Sequence, residues 1–184
     1  IKNNKIDIIC FLGGEIAKST FINSAKVCTL NYHSGLSPFF NGNNALINTY
    51  RKENLNFIGG TLMIMNSKID LGNILSHYLT PINKNDKIYD LFMNTIKGSV
   101  HLYQNFLDKV KFSKAIPKGI KQLHKFNYYK NIDWTIVDDI KLNYYQKYGN
   151  QSNFYRKEKS IYYYNRKEDD FNFLLINLLK SIQK

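Results

Sequence analysis

The feature that most constrains the fold is the run Ile6-Asp7-Ile8-Ile9-Cys10-Phe11-Leu12, apolar at six of its seven positions. It is shorter than an ordinary helix and too continuous for a strand with one wet face. It therefore predicts a central strand of a parallel sheet, covered on both sides, and Gly13-Gly14 ends it. Residues 15–25 then have the length of a short helix, and 27–32 (Val-Cys-Thr-Leu-Asn-Tyr) read as a second strand. Asn43 or Asn44 can cap a helix running to Arg51. Residues 59–65 and 73–80 read as a third and a fourth strand. Strands alternating with helices predict an α/β fold: a Rossmann-like open sheet, mostly parallel, with flanking helices.

Asp86 opens a longer helix in which Ile88, Leu91, Phe92, Ile96, Val100, Tyr103, Phe106, Leu107 and Val110 recur at steps of three and four. That spacing predicts one buried face, interrupted by Gly98 at modest cost. Pro117 marks a change of character, and the chain beyond it is rich in Tyr and Lys. Residues 135–146 read as a helix, and 169–182 as a terminal one with Phe171, Leu174, Leu175, Leu178 and Leu179 on its apolar face. We divide the chain into a sheet-bearing core, 1–112, and a basic, Tyr-rich extension or subdomain, 113–184. The Tyr clusters near 128, 144 and 163 serve either as packing or as a stacking platform for a base or sugar ring.

With 184 residues, 43% of them hydrophobic and 22% charged, the chain can bury a real core. Its net charge of +12 raises the question of nucleic acid. Only three of the 26 basic residues are Arg, and Lys, Asn, Ile and Tyr are enriched together, as an AT-rich gene would give. The excess is uneven: eleven basic against seven acidic residues up to position 110, fifteen against seven after it. A polyanion or a phosphate-bearing substrate would therefore meet the second half. Cys10 and Cys28 lie in apolar runs and are expected as buried free thiols, without zinc-type spacing, so no metal is expected. No run approaches the roughly 18 apolar residues of a membrane span. No signal peptide is evident, and the expected location is the cytoplasm. His77, His101 and His124 are scattered, and are expected at or near the surface without a role. The chain starts at Ile1, not Met, on the lead-in to a strand, so it is expected to be a fragment without its amino-terminal part.

The chemistry concentrates in Asn31-Tyr32-His33-Ser34-Gly35-Leu36-Ser37-Pro38, at the end of the second strand. Strand periodicity puts Asn31 and His33 on the same side, at the carboxyl end where open α/β sheets bind ligands. Asp70-Leu71-Gly72 follows in a loop between strands. Alone, an Asn-x-His is a polar strand end and an Asp-x-Gly a turn. Together with Leu36-Ser37-Pro38, Phe40, Gly42 and Thr61, in this order and spacing, they resemble the 10-formyltetrahydrofolate-dependent formyltransferases. The likeness runs from about Ile6 to Leu75. That superfamily includes phosphoribosylglycinamide formyltransferase, methionyl-tRNA formyltransferase and the sugar-nucleotide N-formyltransferases.

The resemblance implies transfer of a formyl group from 10-formyltetrahydrofolate to a primary amine. In the family the matching Asn, His and Asp are catalytic, which implies three roles here. Asn31 would donate a hydrogen bond to the oxyanion formed when the amine attacks. His33 would deliver a proton to that oxyanion or to the leaving nitrogen. Asp70 would hold His33 and a water and help deprotonate the amine. The resemblance also implies a folate site on main-chain groups of two loops: Leu12, Gly13, Gly14 and Ile16 after the first strand, and Ser67 to Asp70 before the Asp-x-Gly. Ser34-Gly35 stands where purine-pathway members usually carry Pro-Ser, and Met63 where they often carry His. These departures are similar to the branch that formylates amino sugars, which ranks a sugar nucleotide first as acceptor. Methionyl-tRNA and phosphoribosylglycinamide enzymes are the alternatives, and a non-catalytic, basic nucleic-acid-binding module is the alternative from another class.

Overall fold

The computed structural model describes residues 6–14, 16–113, 115–148 and 154–183. The architecture is α/β, an open sheet with helices on both faces. Its elements are β1 (Ile8–Leu12), α1 (Ser19–Ile22), β2 (Cys28–His33), β3 (Phe40–Gly42), α2 (Ala45–Arg51), β4 (Gly59–Ile64), β5 (Asn73–Leu79), α3 (Ile88–Ser113), β6 (Asn127–Tyr129), α4 (Ile136–Tyr148), β7 (Lys159–Tyr162) and α5 (Phe171–Ile182).

Five strands form the main sheet in the order β1-β2-β4-β5-β7, while β3 and β6 pair separately in parallel. The main sheet is mixed, where the sequence reading expected a mostly parallel one. β1 and β2 are parallel, but β2–β4, β4–β5 and β5–β7 are antiparallel. The connection 65–72 between β4 and β5 is shorter than the dozen or so residues that a parallel crossover needs, so these two strands form a hairpin. β1 also departs from expectation. Among the described residues it lies at the edge of the sheet rather than at its centre, and Cys10 is exposed and Cys28 half-buried. Continuous apolarity marks a strand with apolar surroundings on both faces and does not say whether its outer edge is paired.

Helix α3 covers one face of the sheet. Its Leu102 and Phe106 pack on Leu30, Tyr32, Leu62, Leu75 and Tyr78. The buried face of α3 is Leu91, Thr95, Gly98, Ser99, Leu102 and Phe106, rotated from the expected one, and Val100 is 62% exposed. Close approach at Thr95, Gly98 and Ser99 joins the apolar Leu91, Leu102 and Phe106 in selecting this face. A Cβ on Gly98 would lie 2.1 Å from Tyr78 Cδ1, so only glycine lets that ring lie against the helix. The Tyr32 hydroxyl donates to the Thr95 carbonyl at 2.6 Å from the same side.

The opposite face is covered by α5. Phe171 and Leu174 pack with Ile74, Ile120 and Tyr163, and Leu178 and Ile182 with Leu36 and Leu79. Strand β7 and helix α5, both from beyond residue 113, thus complete the sheet and core built by the first part of the chain. Arg156 ties the two parts together, donating to the carbonyls of Thr80, Asn56 and Ile58.

Candidate active site

Side chains on β2 alternate. Leu30 and Tyr32 turn into the core beneath α3, so Asn31 and His33 emerge on the opposite face. The stretch after His33 is held down from below. The Thr61 hydroxyl on β4 donates to the Gly35 carbonyl at 2.7 Å and accepts the Ser37 amide at 2.9 Å. His77 on β5 lies under the same stretch, fully buried, where the expectation is a surface or half-buried position. Its Nε2 meets the Ser37 carbonyl at 2.7 Å and its Nδ1 the Tyr163 hydroxyl at 2.8 Å. A carbonyl only accepts, so Nε2 carries the hydrogen and Nδ1 accepts from Tyr163. Burial lowers the pKa of this imidazole to about 4. His101 and His124 are exposed.

His33 is almost buried. Its Nε2 lies 3.1 Å from the Phe40 carbonyl, which fixes a hydrogen on that nitrogen. The other nitrogen, Nδ1, faces Asp70 Oδ1 at 3.7 Å. That gap exceeds a hydrogen bond, yet a proton arriving on Nδ1 would stand beside the carboxylate. The second carboxylate oxygen, Oδ2, accepts the Gly42 amide at 2.7 Å. Asp70 adopts a left-handed backbone, with φ of 51°, a conformation that Asp tolerates better than most residues. Its loop presses on β4, and a Cβ on Gly72 would stand 2.0 Å from the Ile64 carbonyl oxygen, which explains the glycine of Asp-x-Gly.

Both loops are also gripped from a distance. The Asn73 amide donates to the Lys118 carbonyl at 3.0 Å, and Ile74 and Ile120 exchange two backbone bonds at 2.8 Å. Buried Gln122 donates through Nε2 to the carbonyls of Asp70, at 3.1 Å, and Gly72, at 2.7 Å. Lys125 Nζ donates to the Ile69 carbonyl. Desolvation lowers the Lys125 pKa, and the charge of Asp70 works against that shift. On the other loop, the Phe126 amide donates to the Pro38 carbonyl at 2.9 Å, and the Asn127 side chain to that of Phe39 at 2.9 Å. The Asn43 amide donates to the Tyr129 carbonyl at 2.9 Å. None of these partners carries a spacing signal in the sequence.

The result is a cleft of about 280 Å³. Asn31, His33 and Asp70 line it together with Gly13, Gly14, Ile16 and Ser67. Asn31 is half-buried there, and among the described residues its side-chain amide makes no hydrogen bond. Leu12 is 46% exposed and does not line the cleft, since the pleat turns Phe11 inward in its place. Residue 15, within the expected 12–16 loop, lies outside the described residues. Tyr128, from the extension, lines the cleft, whereas Tyr145 and Tyr163 are core residues. No helix among the described residues is long and apolar enough to cross a membrane.

Solved structures share this fold. A sugar N-formyltransferase from a Shewanella species is 22% identical with a TM-score of 0.56, covering 74% of this chain and 58% of its own. A 4-N formyltransferase from Francisella tularensis is 21% identical with a TM-score of 0.59, covering 77% and 62%. The formyltransferase PseJ from Anoxybacillus kamchatkensis, solved with UDP-4,6-dideoxy-4-formamido-L-AltNAc and tetrahydrofolate, is 20% identical with a TM-score of 0.60, covering 71% and 67%. The chain thus spans about three fifths of the length of the first two. No curated protein matches it in sequence. The formyl transferase family model matches residues 1–105, more than half of the chain, on the segment that carries Asn31, His33 and Asp70, and the chain belongs to that family.

Proposed function

We propose that this chain carries the active site of an N-formyltransferase that moves a formyl group from 10-formyltetrahydrofolate to the primary amine of a nucleotide-linked amino sugar. The observation that carries this reading is the convergence of Asn31, His33 and Asp70 in one cleft with the two glycine- and serine-bearing loops. The PseJ structure, solved with tetrahydrofolate and a formylated UDP-sugar, supports the substrate pair. The departures at Ser34-Gly35 and Met63 support an amino sugar over a purine precursor.

The donor would supply an activated formyl group. A cleft near 280 Å³ lies just below the roughly 300 Å³ at which ligand sites begin, and suits the flat ring end of a folate with its tail outside. Gly13 and Gly14, both at positive φ and exposed, leave room for a ring against the backbone. Phe11, Ile22 and Met65 offer apolar walls, and the backbone around Ser67 offers polar groups. Asn31 Nδ2 would donate to the oxygen on which negative charge develops. His33, with Nε2 tied to Phe40, would hold or release the working proton at Nδ1. Asp70, fixed by Gly42, would stabilise that proton and receive the one lost by the attacking amine. The free thiols Cys10 and Cys28 support a reducing, cytoplasmic setting.

The test is formyl transfer from 10-formyltetrahydrofolate to a panel of amino-sugar nucleotides, with His33→Ala and Asp70→Ala alongside. Turnover in the parent and a loss of at least about 100-fold in each variant, with circular dichroism unchanged, are expected. Full turnover in either variant would remove the mechanism.

A further inference from the structure

The family match ends at residue 105, yet both loops that hold the reactive pair are anchored by one later run of chain. Residues 118–125 bond to Ile69, Asp70, Gly72, Asn73 and Ile74. Residues 126–129 bond to Pro38, Phe39 and Asn43 and pair as β6 with β3. The first half of the run grips the loop of Asp70. The second grips the stretch that supplies the Phe40 carbonyl to His33 and the Gly42 amide to Asp70. Because the run is continuous, the two loops cannot separate without breaking one set of bonds. We propose that residues 118–129 act as a clasp that sets the distance between His33 and Asp70, with Gln122 as a positioning residue for Asp70.

Gln122 is the centre of the clasp for three reasons. It is 6% exposed, so water cannot replace its donor. Its one amide nitrogen serves two carbonyls, Asp70 and Gly72, on either side of the turn that aims the carboxylate. Those two acceptors also fix which end of the amide carries the hydrogens. Removing the donor leaves both carbonyls facing an apolar neighbour and frees the left-handed turn at Asp70 to relax. A displacement of about 1 Å at a reacting group can cost about 100-fold in rate while binding changes little.

The kinetic part of this inference rests on the formyl-transfer reading; the structural part does not. The experiment compares the full chain with Gln122→Met, which keeps the volume and removes both hydrogen bonds. Amide hydrogen exchange is read at Gly42, whose N–H reports its bond to Asp70, and across the β4–β5 ladder as an internal standard. Exchange at Gly42 is expected to rise at least about tenfold with the ladder unchanged. Where the parent turns over, kcat is expected to fall at least about tenfold while KM for the folate moves less than about twofold. An unchanged Gly42 with unchanged kcat overturns the clasp. A parent without turnover removes the enzymatic reading alone, and the exchange result still decides the clasp. If Gln122→Met loosens the ladder as well, Lys125→Met replaces it. That half-buried side chain grips the same loop at Ile69, and local loss at Gly42 supports the proposal whereas none refutes it.

Discussion

Acid should weaken this protein through His77, and the size of the effect follows from its surroundings. The imidazole is fully buried between the Ser37 carbonyl and the Tyr163 hydroxyl, and burial pushes its pKa from 6.5 down to about 4. The hydrogen bond to Ser37 pulls the other way and does not offset burial. In the unfolded chain the same ring takes up a proton near its ordinary value, so between about pH 6.5 and 4 the unfolded state binds more protons than the folded one. Stability from this residue is therefore complete above about pH 6.5 and is lost as pH falls toward 4. The difference in pKa corresponds to about 3 kcal/mol across that window. The measurement is urea unfolding in small pH steps from about 7 to 4, on the parent and on His77→Gln. Glutamine can still donate toward Ser37 but does not titrate. Carboxylates elsewhere contribute equally to both proteins, so the difference between them isolates His77. The parent should lose about 3 kcal/mol more than the variant on going to pH 4. A difference that stays constant with pH would refute the reasoning, because it would mean that His77 is protonated as readily folded as unfolded.

Gly98→Ala should destabilise the fold by about 1–3 kcal/mol, read as a lower urea midpoint, because the new methyl meets the Tyr78 ring at 2.1 Å. Asn31→Ala should lower kcat by about 100-fold while calorimetric binding of a stable folate analogue changes little, since an oxyanion donor acts on the transition state. A loss confined to folate affinity would assign Asn31 to binding.

Apolar runs, apolar spacing and turn chemistry made the strands β1, β2, β4 and β5 and the helices α3, α4 and α5 legible in the sequence, because these are properties of neighbouring residues. β3, β6 and β7 were not, since strands of three or four residues carry no period of their own and exist only through their partners. The face of α3 was misread because Thr95, Gly98 and Ser99 are small and weakly apolar. They are buried by close packing, which hydrophobic counting does not weigh. Asn31, His33 and Asp70 stood out through the order and spacing of motifs that resemble the formyltransferases, because strand period and turn chemistry alone leave them a polar strand end and a turn. Gln122 did not, for its two acceptors lie some fifty residues earlier, at separations of 52 and 50. His77 was read as a bystander for a similar reason, with partners 40 and 86 residues away.

Those long separations also order events in time. Helix α3 and the β4–β5 hairpin join neighbours in the chain and can form within microseconds. The bonds from 118–129 back to 38–43 and 69–74 close large loops, and loop closure must precede any gain from the contacts it creates. During synthesis the chain emerges from its amino-terminal end, so α3 and the β4–β5 hairpin can form before residues 118–129 bridge the two loops. Strand β7, Tyr163 and helix α5 leave the ribosome later still, so the sheet and the support beneath Ser37 are completed last.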